Sequence, residues 1–337
     1  MARSGFLGIG FALLALALAE PGRAAALICD TVWHDAARNR DLPVRVRLPD
    51  AATFSGRVPV VLFSHGLGGS VDAGAIWARD WANAGIATVH LQHPGSDASV
   101  WSKVPQPERM AALKAAANAQ QLLARVADVR FAVDTLVAGG DVGGCDLSRL
   151  DATRIGMAGH SFGAGTVQAV AGQRFAIGSE RRSIGDPRIK AFIAFSPSAT
   201  SALRGATTPA QQQTELVQAF GQITVPFLSV TGTRDLSPID PALTAASRQQ
   251  VFEGLPRGND YLLVINDADH IVLGGGNGEG ARLRTTTSAD DKGIERVVGQ
   301  VTTVFWLAML GGSDLATQTL KAMPPAALRT GDSWQTR

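Results

Sequence analysis

Apolar residues in this 337-residue chain fall into short runs separated by stretches long enough for a helix. Val58–Phe63, Ile86–Leu91, Arg154–Ala158, Ile189–Phe195, Val225–Val230 and Tyr261–Ile265 are nearly unbroken and rich in β-branched residues. Strands buried on both faces have that composition. Ile76–Ala84 suits a helix ended by Gly85, and Leu122, Val126, Val129, Val133 and Leu136 keep helical spacing until Gly139-Gly140. Over Thr31–Pro49 the pattern changes: Val44, Val46 and Leu48 alternate with Arg45 and Arg47, as in a hairpin with one face buried. These periods predict an α/β protein with a mainly parallel central sheet, helices on both faces and an N-terminal antiparallel hairpin at one edge. Residues 27–337 read as a single domain. Thr200–Gly221 is longer than a plain crossover needs, so a small cap is expected around 198–222.

The first 26 residues do not fit that pattern. Arg3 precedes an apolar stretch, Phe6–Ala19, which Pro21-Gly22 ends, and Ala24-Ala25-Ala26 offers small residues for cleavage. This is the layout of a signal peptide, with a core short for a membrane span. Residues 1–26 are therefore expected to be removed, leaving an exported protein, periplasmic or secreted, with no stable membrane span. A composition of 45% hydrophobic and 18% charged residues is that of a globular domain. A net charge of +2 with no basic run gives no electrostatic footprint for nucleic acid. The two cysteines, Cys29 and Cys145, match no zinc pattern. In an oxidising compartment they either pair or stay separate thiols; sequence does not supply the Cα separation that decides.

The chemistry gathers around Gly159-His160-Ser161-Phe162-Gly163, a G-x-S-x-G motif between a strand pattern and the helix-compatible run Ala164–Ala171. A sharp strand-to-helix turn needs small flanking residues and exposes the serine Oγ, so Ser161 is the expected nucleophile. A serine hydroxyl needs a base. His270 is the one histidine after Ser161, just past the last strand pattern, and takes that role. Asp235, at the end of the preceding strand pattern, is the expected orienting acid; Asp240 is the fallback, and Asp267 and Asp269 read as solvated turn acids. The loop Ser64-His65-Gly66-Leu67-Gly68-Gly69 directly follows a strand, so the N–H groups of Leu67 and Phe162 are the expected oxyanion donors. His65 and His160 read as structural. His90 and His93 lack a third ligand, so no metal is expected. Gly274–Gly280 lacks the strand–turn–helix unit of a dinucleotide site, and no cofactor is expected.

Taken together, these residues resemble the α/β-hydrolase superfamily across the whole mature chain. Ser64–Gly69, His93-Pro-Gly-Ser-Asp97 and Gly159–Gly163 look like the dienelactone-hydrolase-related, platelet-activating-factor-acetylhydrolase-like and chlorophyllase-like bacterial serine esterases. The resemblance implies the α/β-hydrolase fold and cleavage of small carboxylic esters through an acyl-enzyme. The chain departs from the acetylhydrolases at Phe195-Ser-Pro-Ser198, where they carry their acid, and from dienelactone hydrolases in having serine for cysteine. It shares the position of Asp235 with cutinase-like polyester hydrolases, but has Leu67 and Phe162 where those usually carry an aromatic residue and methionine. Polyester hydrolysis and acyl transfer to an alcohol stay open as enzymatic alternatives. A binding protein on a hydrolase scaffold is the alternative outside catalysis.

Overall fold

The computed structural model describes residues 26–240, 243–258, 260–276, 289–322 and 327–337; most of the leader, residues 1–25, lies outside them. The strands are β1 (Leu27–Asp35), β2 (Arg40–Leu48), β3 (Val58–Ser64) and β4 (Ala87–Leu91), with helix α1 (Ala75–Asn83) between the last two. Then come α2 (Ser99–Ser102), α3 (Gln106–Ala116), α4 (Ala119–Ala138), the small hairpin β5 (Asp141–Val142) and β6 (Cys145–Asp146), β7 (Leu150–His160) and α5 (Phe162–Ala171). A second small hairpin, β8 (Arg174–Ile177) and β9 (Glu180–Ser183), precedes β10 (Ile189–Phe195), α6 (Pro209–Phe220), β11 (Phe227–Arg234) and α7 (Gln250–Gly254). β12 (Asp260–Asp269), α8 (Asp291–Met309), α9 (Asp314–Ala322) and β13 (Ser333–Thr336) follow.

Nine strands form one sheet in the order β1-β2-β4-β3-β7-β10-β11-β12-β13. β4, β3, β7, β10, β11 and β12 run parallel, while the N-terminal hairpin joins β4 antiparallel and β13 joins β12 antiparallel. The parallel strands read as continuous apolar runs because both faces are covered. Val60 and Leu62 point into the cluster made with α4, α5 and α6, whereas Val61 and Phe63 point into the cluster made with α1 and α8. β13 was not legible as a strand, because Ser333-Trp-Gln-Thr336 carries a single apolar residue. Within the stretch set aside for a cap, α6 buries Leu216, Ala219 and Phe220 in the core cluster below the sheet.

One feature outside the expected pattern borders the loop after β3. α2 and α3 fill the connection from β4 to α4, and Trp101 donates from Nε1 to the carbonyl of Gly68 at 2.8 Å. Cys29 and Cys145 are joined in a disulfide, with a Cα separation of 5.9 Å. It clips the β5–β6 hairpin against the edge strand β1, where Thr31 Oγ1 also donates to Gly143 O at 2.9 Å. No helix among the described residues is long and apolar enough to cross a membrane.

Candidate active site

Parallel strands aim their C-terminal ends the same way, and ligands of open α/β sheets bind at that edge. Ser161 follows β7, Asp235 follows β11, His270 follows β12 and the Ser64–Gly69 loop follows β3. Ser161 has φ 57° and ψ −114°, a left-handed-side conformation rare for a residue with a side chain. The turn is this tight because β7 and α5 meet against the backbone of β3. A Cβ at Gly163 would overlap the carbonyl of Ser64, and one at Gly159 would overlap the backbone of Gly163. Glycine at both positions is what allows the elbow.

His270 Nε2 lies 2.9 Å from Ser161 Oγ, and its Nδ1 lies 2.7 Å from Asp235 Oδ1. Asp235 is fully buried, and its second oxygen accepts from Thr231 Oγ1 at 2.8 Å. Burial opposes ionisation of Asp235, but the hydrogen bond from His270 and the Arg248 cation outweigh it and hold the carboxyl well below its usual range. With Asp235 ionised, Nδ1 carries the proton and Nε2 is free to accept one. Arg248 Nη2 stands 3.3 Å from that same Nδ1. Both atoms then bear hydrogen, so this contact brings charge near the ring rather than a hydrogen bond. Arg248 is held there by donating to the carbonyls of Ser196 and Pro197 at 2.9 and 3.3 Å.

The carboxylate on the ring is thus that of Asp235. Asp240 sits in a turn whose N–H donates to Ser237 Oγ at 3.1 Å. Asp267 accepts from Arg234 at 2.7 Å. Asp269 departs from expectation: it is buried rather than solvated, since its Oδ1 accepts the N–H groups of Ile271 and Val272 and fixes the turn that carries His270. His160 donates from Nε2 to the carbonyl of His270 at 2.8 Å, with ring centroids 4.7 Å apart, so it braces the histidine from behind. Burial pushes the His160 ring down to about 3 and keeps it neutral.

The N–H groups of Leu67 and Phe162 have no acceptor among the described residues. A Cβ on Gly66 would lie 3.6 Å from the Cβ of Ser161, so this loop borders the serine directly. His65 closes the loop, with Nδ1 on Gly66 O at 2.5 Å and Nε2 accepting from the N–H of His93 at 3.0 Å. The ring nitrogens of His90 and His93 are also engaged by protein groups: His90 by Ala73 O and Thr88 Oγ1, His93 by Ser64 and Asp128.

Sequence reasoning missed a buried charge network beneath the loop. Arg125, on α4, is fully buried and donates to Ser96 Oγ at 2.8 Å and to His65 O at 2.6 Å. Asp128, one turn on, is fully buried as well and binds Arg38, Arg40 and His93. Both residues lie in register with the apolar stripe of α4. Charged positions inside a stripe were the available signal.

No family model matches the chain, and no curated protein sequence matches it. Among solved structures it is similar to a ferulic acid esterase from Streptomyces cinnamoneus, at 17% identity over 95% of this chain and 98% of that one, with a TM-score of 0.60. A cold-adapted esterase from an Arctic intertidal metagenomic library aligns at 16% identity over 74% of this chain and 87% of that one, with a TM-score of 0.48. The 2,6-dihydroxy-pseudo-oxynicotine hydrolase aligns at 16% identity over 72% and 61%, with a TM-score of 0.46. The full-length likeness to the first gives the fold: this is an α/β-hydrolase fold.

Proposed function

We propose that the protein is an exported serine esterase that hydrolyses small carboxylic esters through an acyl-enzyme. The observation that carries this reading is the line of contacts from Ser161 Oγ through His270 to buried Asp235, at 2.9 and 2.7 Å, with the serine on a strained elbow. In the proposed reaction Ser161 Oγ attacks the ester carbonyl carbon while its proton passes to His270 Nε2. Negative charge then develops on the carbonyl oxygen, toward the N–H groups of Leu67 and Phe162. Collapse of the tetrahedral species expels the alcohol, which takes the proton from His270. Water repeats the sequence on the acyl-enzyme and releases the acid. Atoms and electrons balance with water as the only co-reactant. Asp235 keeps Nδ1 protonated throughout and stabilises the imidazolium.

Ester rather than amide chemistry is supported by the motif resemblance, and the full-length likeness to the ferulic acid esterase points the same way. Export is supported by the leader pattern of residues 1–26 and by the Cys29–Cys145 disulfide, which suits an oxidising compartment. The test is a fluorophosphonate probe with p-nitrophenyl esters of graded length, a ferulate ester and a polyester film alongside. Labelling at Ser161, and loss of both labelling and hydrolysis in Ser161→Ala, are expected. Undiminished hydrolysis by Ser161→Ala would end the proposal.

A further inference from the structure

We propose that Arg125 is a positioning residue for the oxyanion site, holding both of its backbone donors through one buried guanidinium. The inference rests on the esterase reading above.

The Leu67 N–H shares a peptide unit with the Gly66 carbonyl, and the described chain has no cis peptide, so the two point in opposite directions. The Gly66 carbonyl faces inward, where His65 Nδ1 at 2.5 Å and Arg125 Nη2 at 3.4 Å meet it. The N–H of the same unit is therefore turned away from the guanidinium, in a loop that borders Ser161. The residue after Leu67 is tied to the same cation by one step: Gly68 N donates to Ser96 O at 2.9 Å, and Arg125 Nη2 donates to that same oxygen at 3.2 Å. Arg125 thus anchors the loop on both flanks of the donor. The second donor belongs to Phe162, whose ring lies against the same guanidinium with Cζ 4.5 Å from the centroid. One rigid planar group fixes Leu67 by its peptide and Phe162 by its side chain.

The charge matters as well as the shape. Among the described residues no carboxylate lies within ion-pair distance of Arg125; its partners are carbonyl oxygens, hydroxyls and a histidine ring. Asp128 is already bound by Arg38, Arg40 and His93, and Asp97 by Gln92 and Ser99. Burial pushes Arg125 down to about 9, which leaves it cationic at neutral pH. A buried cation behind the donors, with Asp128 and Asp97 nearby but no carboxylate in ion-pair contact among the described residues, favours negative charge in front of them. A carbonyl that accepts from a cation also makes its own N–H a better donor.

The test compares Arg125→Met, Arg125→Lys and Ser96→Ala, reading kcat and KM on a p-nitrophenyl ester and inhibition by a trifluoromethyl ketone, which carries an oxyanion when bound. Loss of one oxyanion donor costs about 10²–10³-fold in kcat, so Arg125→Met, which loosens two, is expected to lose about 10²-fold with KM nearly unchanged. Ketone affinity should fall in parallel. Arg125→Lys keeps the charge but not the fork and should fall between the parent and Met. Ser96→Ala keeps the arginine and removes one anchor. It reports even where an arginine variant does not fold, with a several-fold fall in kcat and ketone affinity expected at constant KM. A folded Arg125→Met or Ser96→Ala with parental kcat and ketone affinity overturns the proposal. Those results beside an inactive Ser161→Ala break this inference alone, whereas an active Ser161→Ala breaks the esterase reading on which it rests.

Discussion

Two hydrogen-bonded serine–histidine–aspartate sets stand side by side at the C-terminal ends of β3 and β7. In one, Ser161 Oγ lies 2.9 Å from His270 Nε2 and His270 Nδ1 lies 2.7 Å from Asp235. In the other, Ser64 Oγ lies 2.9 Å from His93 Nε2 and His93 Nδ1 lies 3.0 Å from Asp128. The atoms, the order of contacts and the tautomer each implies are the same. What differs is the setting. Ser64 is the last residue of a regular strand and is sealed, as are His93 and Asp128, whereas Ser161 is half-buried on a strained turn beside two N–H groups without an acceptor among the described residues. A triad's contact distances therefore carry little functional information alone. On the proposed reading, access and donors for the charge that develops separate the Ser161 set from the sealed one. The sealed set instead joins the N-terminal hairpin, through Arg38 and Arg40, to α4 and the Ser64–Gly69 loop.

The largest expected contrast lies between the two acids. Asp235→Asn should fold normally and lose about 10⁴-fold in kcat, because the amide favours the wrong histidine tautomer. Asp128→Asn should do the reverse, costing up to about 3 kcal/mol of stability by unpairing the partly buried Arg38 and Arg40, while the folded fraction still labels at Ser161. Denaturant melts and active-site titration of both variants decide it. Equal catalytic losses per folded molecule would erase the distinction between the two sets.

Acid should act next, and on both sets. Burial pushes His93 down to about 4 and His90 and His160 to about 3, and it holds His65 well below its ordinary value. All four stay neutral in the fold but bind protons near pH 6.5 once unfolded. The unfolded state is thus the better proton acceptor below that pH, and stability falls as pH falls. Each ring contributes a loss of up to about 1.4 kcal/mol per pH unit between about 6.5 and 4. Chemical denaturation at pH 7 and pH 5 should show a markedly lower midpoint at pH 5. A flat profile would mean that these rings are hydrated.

The smallest effect expected is that of the disulfide. It clips the β5–β6 hairpin to β1, on the hairpin side of the sheet and away from Ser161. Reduction should cost about 2–4 kcal/mol, below the ceiling for so long a loop, with kcat at room temperature retained. Calorimetry with and without reductant, paired with initial rates, checks it; a lost kcat at an unchanged Tm would reverse the assignment.

Strands were legible because the parallel runs are buried on both faces, as Val58–Ser64 shows residue for residue. Ser161 stood out because a strand-to-helix turn flanked by glycine is a local requirement, and His270 because chain order left one candidate. Arg125, Asp128 and Arg248 were not legible. Their partners are main-chain carbonyls and residues up to 90 positions away, and no local pattern encodes such pairings. β13 escaped for a different reason: its place comes from pairing with the edge of β12, not from its own composition.

The elbow glycines have a consequence for how this protein can change over evolutionary time. With no room for a side chain at Gly159 or Gly163, the turn carrying Ser161 rests directly on the backbone of Ser64. The serine and the start of the Ser64–Gly69 loop form one block whose glycines tolerate no side chain. New specificities must then arise in pieces that touch the block without belonging to it. The α2–α3 segment is such a piece. It meets the loop mainly through Trp101 and Leu113 against Gly68 and leaves much of its surface in solvent, so it can drift while the block stays fixed.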